Sequence, residues 1–277
     1  MTPAIPSAGA AALSVDLVAG ESAVTALWSA NPLKILAPRM RGPSIWAYLA
    51  SMGGGMVGGD QTSLEVRLSA GARCFLSTQA STKIYRNPHR RPCGHRLTAH
   101  LGRDSLFVLA PDPVQSFADS SYAQSQSFHL ESGAGLVLLD WFSAGRAARG
   151  ERWRFHRLWS RNDIFLDDER RFLDSLLLDR AHGPLDSPHR LGRFNTVALI
   201  ALIGAPLAQH AEALLASAAA RPIERRARLI FSASAVRGGS VLRVAGESHE
   251  EVAHQVFGAL GFVGELLGED PWAGKLN

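Results

Sequence analysis

The chain has 277 residues, 46% of them hydrophobic, and a formal net charge of +4 at pH 7; that length suffices to bury roughly three quarters of the unfolded surface, and one domain over 1–277 is expected. Cys74 and Cys93 are the only cysteines and do not form a C-x-x-C pair, which argues against a disulfide framework or a structural zinc site. No basic leader precedes an apolar run at the N-terminus, and the longest strongly apolar stretch, from Val197, is shorter than the ~18 residues of a spanning helix, so the sequence reads as soluble and cytoplasmic, without a membrane partner.

Up to about residue 204 the sequence consists of short apolar or alternating runs broken by Gly, Pro, Asp and Ser. Strands are predicted at 13–18, 24–29, 72–78, 105–109, 135–141 and 196–203, a mainly β pattern that fits a sandwich, a barrel or a β-helical stack. Between the second and third of these, Gly53, Gly55 and Gly58 stand at the G-x-G-x-x-G spacing of a dinucleotide site. That motif needs a helix to follow, so that N-terminal N–H groups can receive a pyrophosphate. Instead Leu64, Val66 and Leu68 alternate with Ser63, Glu65, Arg67 and Ser69, the period of a half-buried strand. The glycines are therefore read as turn and close-approach residues, with Asp60 opening a strand.

Further on, Cys93 and His95 form a C-x-H pair whose side chains would share a strand face, with His89 nearby. A thiolate and imidazoles suit nickel or zinc, but NPHRRPCGH, residues 87–95, is Pro-rich and basic and reads as an exposed hairpin connection. The chain has 26 Arg against 3 Lys, and six of the arginines fall between Arg146 and Arg161. With Trp153, Phe155 and Trp159 among them, a strand with one apolar and one charged face is a simpler account than a nucleic-acid patch. Two helices are predicted, at 206–220 and 248–267, from apolar residues recurring at three and four positions, with Pro206 early in the first and Ser248 capping the second. Gly258, Gly261, Gly264 and Gly268 weaken the second, so packing must hold it. HEEVAH, residues 249–254, is one residue too long for a zinc-protease helix, because five positions place the two rings about 140° apart. No G-x-S-x-G elbow marks a nucleophile.

GGGMVGGD at 53–60, a strand, and GARCFLSTQASTKIYR at 71–86 are followed by PDPV at 111–114, FADSSYAQ at 117–124, Asp140, GRAARGERW at 145–153 and RLGRFNTVALIALIG at 190–204. In order, these resemble the signature of the UreD (UreH) family of urease accessory proteins. The resemblance implies a β-helix-like stack of many short strands with two helices in the C-terminal region. It also implies a non-enzymatic scaffold that binds the urease apoprotein and UreF, reaches UreG through UreF, and handles nickel transiently with no permanent cofactor. Asp60, Asp140 and Glu151 lie in matching segments. Each is either a turn cap or ion-pair partner, or one of a series of carboxylates along an internal water-filled route for the metal. Two rival readings are a stand-alone nickel-binding protein using His89, Cys93 and His95, and a β-rich hydrolase using Asp60 or Asp140 as acid or base. Phe257, Leu260 and Phe262 are the largest residues of the C-terminal apolar stripe. They are expected either to face UreF or to pack on the chain's own sheet.

Overall fold

The computed structural model describes residues 8–38, 42–222 and 224–273. Its strands, in chain order, are β1 Ala10–Val18, β2 Glu21–Ser29, β3 Leu33–Leu36, β4 Ile45–Ser51, β5 Gln61–Leu68, β6 Arg73–Thr78, β7 Thr82–Ile84, β8 Cys93–Leu101 and β9 Leu106–Leu109. They continue with β10 Val114–Ser116, β11 Ser121–Leu130, β12 Gly135–Ser143, β13 Arg157–Leu166, β14 Glu169–Asp179, β15 Thr196–Ile203, β16 Leu229–Val236 and β17 Gly239–Gly246. All six predicted strands are present.

From β4 to β13 the chain passes back and forth between two sheets. One sheet runs β14-β13-β11-β8-β5-β1-β2 and the other β16-β17-β15-β12-β9-β6-β4-β3. Within the first, β1, β5, β8, β11 and β13 are parallel in direct register; within the second, β4, β6, β9 and β12 are parallel. Each coil therefore crosses one sheet, turns and returns through the other, giving a β-solenoid of about four turns. Antiparallel β14 and the set β15, β17 and β16 close one side. Period-two alternation drives this stacking. β5 is alternately exposed and buried along its whole length, and β11 alternates between half-buried and buried residues.

The inward residues form two apolar masses. One, including Leu13, Val66, Leu97, Phe128, Leu138 and Ile164, fills most of the space between the sheets. The other, with Met56, Tyr122, Phe142, Trp153, Phe155 and Leu158, plugs one end. A third cluster lies on the outer face of the second sheet, beneath the helices. Turns are short at one end of the solenoid. The other, broad end carries the long connections 52–60, 85–92, 117–120, 144–156 and 180–195.

Among the described residues there are three α-helices: α1 Ala208–Ala220, α2 His249–Ala259 and α3 Val263–Leu267. The first matches its expected position after a 3-10 turn at Ala205–Leu207. The single helix expected at 248–267 is interrupted at Leu260–Phe262, where the Leu260 N–H is shared between the carbonyls of Val256 and Phe257. Gly258 precedes the break and Gly261 lies within it, and their low helix propensity lets the chain turn so that both halves keep their apolar sides on the sheet. Ser248 caps α2 as expected, its Oγ accepting from the Glu251 N–H at 3.4 Å.

The strand expected across the arginine run is not there. Gly145 and Gly150 adopt positive φ, Trp153 sits in the left-handed region at φ 52°, and the strand begins only at Arg157. The apolar phase consequently breaks. Trp153 and Phe155 are buried in the end plug, whereas Trp159 lies on the outward face with Arg157 and Arg161.

Candidate functional site

The glycine loop shows why its fingerprint is a false lead. Gly53, Gly54 and Gly59 adopt φ of 92°, 73° and 99°, and a Cβ on Gly55 would come within 2.5 Å of the Lys83 carbonyl oxygen. The glycines serve turn and close approach, and the next element is β5. Asp60 caps this loop, its Oδ2 accepting from the Val57 N–H at 2.9 Å.

Between the two apolar masses lies a polar layer. On β11, Gln124 and Gln126 point inward in phase with Tyr122 and Phe128; on β13, Ser160 and Asn162 do so between Leu158 and Ile164. Asp140 faces them from β12, in phase with inward Leu136 and Leu138, and is 5% exposed. Its carboxylate accepts three hydrogen bonds: Gln124 Nε2 at 2.7 Å, Ser160 Oγ at 2.6 Å and Asn162 Nδ2 at 2.8 Å. The donors are themselves oriented. Tyr122 Oη donates to Gln124 Oε1 at 3.1 Å, and Gln126 Nε2 donates to Asn162 Oδ1 at 2.9 Å. Burial pushes the Asp140 carboxyl above its usual range, and the three hydrogen bonds act against that rise.

The layer runs across the sheet in register. Thr62 pairs with His95, His95 with Gln124, and Gln124 with Ser160; one step along, Gln126 pairs with Asn162 and Asn162 with Asp174. Asp174 reaches over to the other sheet, accepting from Arg243 Nη2 at 2.9 Å. A cavity of about 190 Å³, room for several waters, is lined by Thr62, His95, Gln124, Gln126, Asp140 and Asp112 together with Gly54, Gly55 and Met56 of the glycine loop.

His95 bonds through Nδ1 to Thr62 Oγ1 at 2.8 Å, and burial lowers its pKa to about 4. The unfolded chain therefore takes up this proton first. The neutral ring's contribution to stability is intact above about pH 6.5 and is lost as the pH falls towards about 4. Urea unfolding of wild type should lose up to about 3 kcal/mol across that interval, and His95→Gln should lose that much less. Equal pH slopes for the two proteins would remove His95 as the source.

Of the carboxylates singled out in the sequence, Asp140 alone lines the cavity. Asp60 is a turn cap. Glu151 holds the 144–156 connection through Arg146, whose Nε donates at 2.9 Å, and this guanidinium keeps its carboxyl below the usual range. The segment 87–95 is an exposed connection only in its first part: His89 is exposed, but β8 starts at Cys93, and Cys93 and His95 share its inward face. Burial drives the Cys93 thiol up to about 12, so it is protonated at neutral pH. Among the described residues, no group of three or more His, Cys, Asp or Glu is placed to hold a metal ion. In HEEVAH, His249 stacks on Trp141 at 5.2 Å between centroids while His254 is exposed. Phe257 and Leu260 are buried under the helices, as in the own-sheet alternative, whereas Phe262 keeps partial exposure and stacks on His210 at 4.0 Å. Gln124, Gln126, Ser160 and Asn162 were not anticipated as site residues.

A family model described as UreD urease accessory protein matches residues 7–273. The chain is 46% identical over 269 residues to the urease accessory protein UreD of Sorangium cellulosum (strain So ce56), covering 97% of this chain and 84% of that one. It is 40% identical over 266 residues to the UreD of Anaeromyxobacter sp. (strain Fw109-5), covering 96% and 89%. Similarity reaches plants: 38% identity over 208 residues to urease accessory protein D of Oryza sativa subsp. japonica, covering 74% and 67%.

Proposed function

The chain belongs to the UreD family of urease accessory proteins and so has a role in urease maturation; we propose that it fills this role as a non-enzymatic scaffold that passes nickel through its interior to the urease apoprotein. In this reading UreF binds the scaffold and brings UreG with it. The observation that carries the proposal is the cavity-lining polar layer around Asp140 inside an otherwise apolar solenoid.

The chemistry of that layer suits passage better than storage. A carboxylate offers about four lone-pair sites, and three of those on Asp140 are taken, which leaves room for one weak contact with a hydrated cation. His95 adds a neutral imidazole. When the Thr62 hydroxyl donates to the Gly94 carbonyl, Nδ1 of His95 carries the ring proton and Nε2 is left as a borderline-soft donor that suits nickel. A cargo held by one or two such ligands at a time is released readily, whereas a closed set of imidazoles and thiolates would trap it.

Reconstitution of urease activation from purified apoprotein, UreF, UreG and nickel, with and without this chain, tests the proposal. Activation that proceeds equally well without it would overturn the scaffold role. Nickel titration of the isolated chain separates passage from storage: tight stoichiometric binding abolished by changes at His89, Cys93 and His95 would favour the nickel-binding alternative. Asp60→Ala should stay folded, costing about 1 kcal/mol for the lost turn cap, and should lower nickel-dependent activation several-fold. A folded Asp60→Ala protein that binds its partners and activates fully has no need of Asp60 in transfer.

A further inference from the structure

The broad end of the solenoid gathers much of the chain's arginine. The connection 85–92 carries Arg86, Arg90 and Arg91, and 144–156 carries Arg149 and Arg154. The connections are neighbours in space. Arg86 Nε donates to Asp119 Oδ2 at 3.2 Å, the Asp119 N–H donates to the Arg154 carbonyl at 3.0 Å, and Arg180 Nη1 donates to the same carbonyl at 3.0 Å. Asp119 and Glu151 each neutralise part of the group, through Arg86 and Arg146. Arg90, Arg91, Arg149 and Arg154 are exposed, and none lies within 4 Å of a carboxylate among the described residues. The turns at the opposite end carry Asp104, Glu131, Asp167 and Asp168. The molecule is thus polarised along its strands, across the axis on which the coils stack.

Two features favour a protein partner over a nucleic acid. Met52 and Val57, 54% and 52% exposed, project from the glycine loop, which packs on 85–92 through Gly58 against Asn87. Exposed Met and Val beside arginine is the composition of a protein interface, in which Arg and Met are enriched and Lys depleted. Carboxylates interspersed among the arginines also break the continuous positive track that a phosphate backbone needs. The turn itself is firm: Arg90 stands at φ 54° with its N–H on the Asn87 carbonyl at 2.9 Å.

We infer that the broad end is a docking face for an acidic protein surface, with Met52 and Val57 as apolar anchors at one side of a row of exposed arginines. Under the reading above, on which this inference rests, that surface belongs to the urease apoprotein. The loop bearing both anchors also walls the cavity through Gly54, Gly55 and Met56, so docking there brings the apoprotein against the polar layer.

The test uses the full chain and purified urease apoprotein in a solution binding assay. Affinity should fall at least about tenfold between ~50 and ~300 mM salt. Combined Arg90→Glu, Arg91→Glu and Arg149→Glu should weaken binding by about a hundredfold, and Val57→Asp by about tenfold, with unchanged circular dichroism. Arg103→Glu, at the opposite end, should bind like wild type. Binding that ignores both salt and the triple reversal overturns the docking face and leaves the scaffold reading standing. Failure of the wild-type chain to bind apoprotein at any salt overturns both. Equal loss in Arg103→Glu, or binding of a ~20-base-pair DNA duplex as tight as that of apoprotein at physiological salt, shows general charge attraction and also overturns it.

Discussion

Asp140→Ala should lower the melting temperature by several degrees and abolish nickel-dependent urease activation. Truncation leaves the Gln124 amide, the Ser160 hydroxyl and the Asn162 amide without their acceptor in a site closed by apolar layers on both sides. A buried donor left unpaired costs about 1–3 kcal/mol, and since water in the cavity recovers part of this, the net loss should be about 3 kcal/mol. For a chain of this size that is a shift of roughly 6–10 °C by calorimetry. Activation assayed well below the lowered transition separates transfer from folding. A folded variant with full activation would show the carboxylate to be structural only, and an unchanged melting temperature would show that the three bonds contribute little. Proton linkage gives a second check, with the sign opposite to that of His95. Because burial raises the Asp140 carboxyl, the folded form holds this proton more tightly than the unfolded chain, and the group's penalty sets in as the pH rises from about 3.8 through the folded value. Asp140→Ala removes that penalty, so its deficit relative to wild type should be larger in acid than at neutral pH.

Strand positions were legible because one face of each coil is buried, and a buried face writes period two into the sequence: Leu64, Val66 and Leu68 on β5 are all inward. Periodicity does not report which strands stack, and the solenoid arrangement came from the resemblance to UreD. The polar layer was harder to see. Gln124 and Gln126 look like ordinary outward residues until their phase is compared with Tyr122 and Phe128, which puts all four on one face; Ser160 and Asn162 stand in the same relation to Leu158 and Ile164. Polar residues in phase with buried apolar ones were the available signal. At the arginine run the inference failed for a physical reason. Alternation between Arg152 and Arg157 is made by a loop with Trp153 in the left-handed region, where side-chain direction no longer follows period two.

Phe257→Ala should destabilise the chain by about 3–5 kcal/mol, as large-to-small changes in packed aromatic sites do. Its ring meets Trp272 at 5.0 Å and Trp141 edge-on at 5.9 Å between centroids, and Val252, Val256 and Leu260 complete the cluster between helices and sheet. Little space is available for collapse, because Trp272 is itself fixed by its Nε1–H on the Leu260 carbonyl at 3.0 Å. Phe262→Ala should behave differently. That ring is partly exposed, stacked on His210 beside a groove of about 340 Å³ lined by Ser217, Gly258 and Ala259, so its removal should cost about 1 kcal/mol or less. The glycines of this segment, which permit close approach of another chain, leave the space above Gly258 open. If UreF docks on the helices, Phe262 is the anchor it can reach without unfolding them, and Phe262→Ala should weaken UreF capture by about tenfold while thermal melting is nearly unchanged. A large melting shift in Phe262→Ala would place the ring in the core. Unchanged capture and unchanged melting together would move the UreF contact off this face.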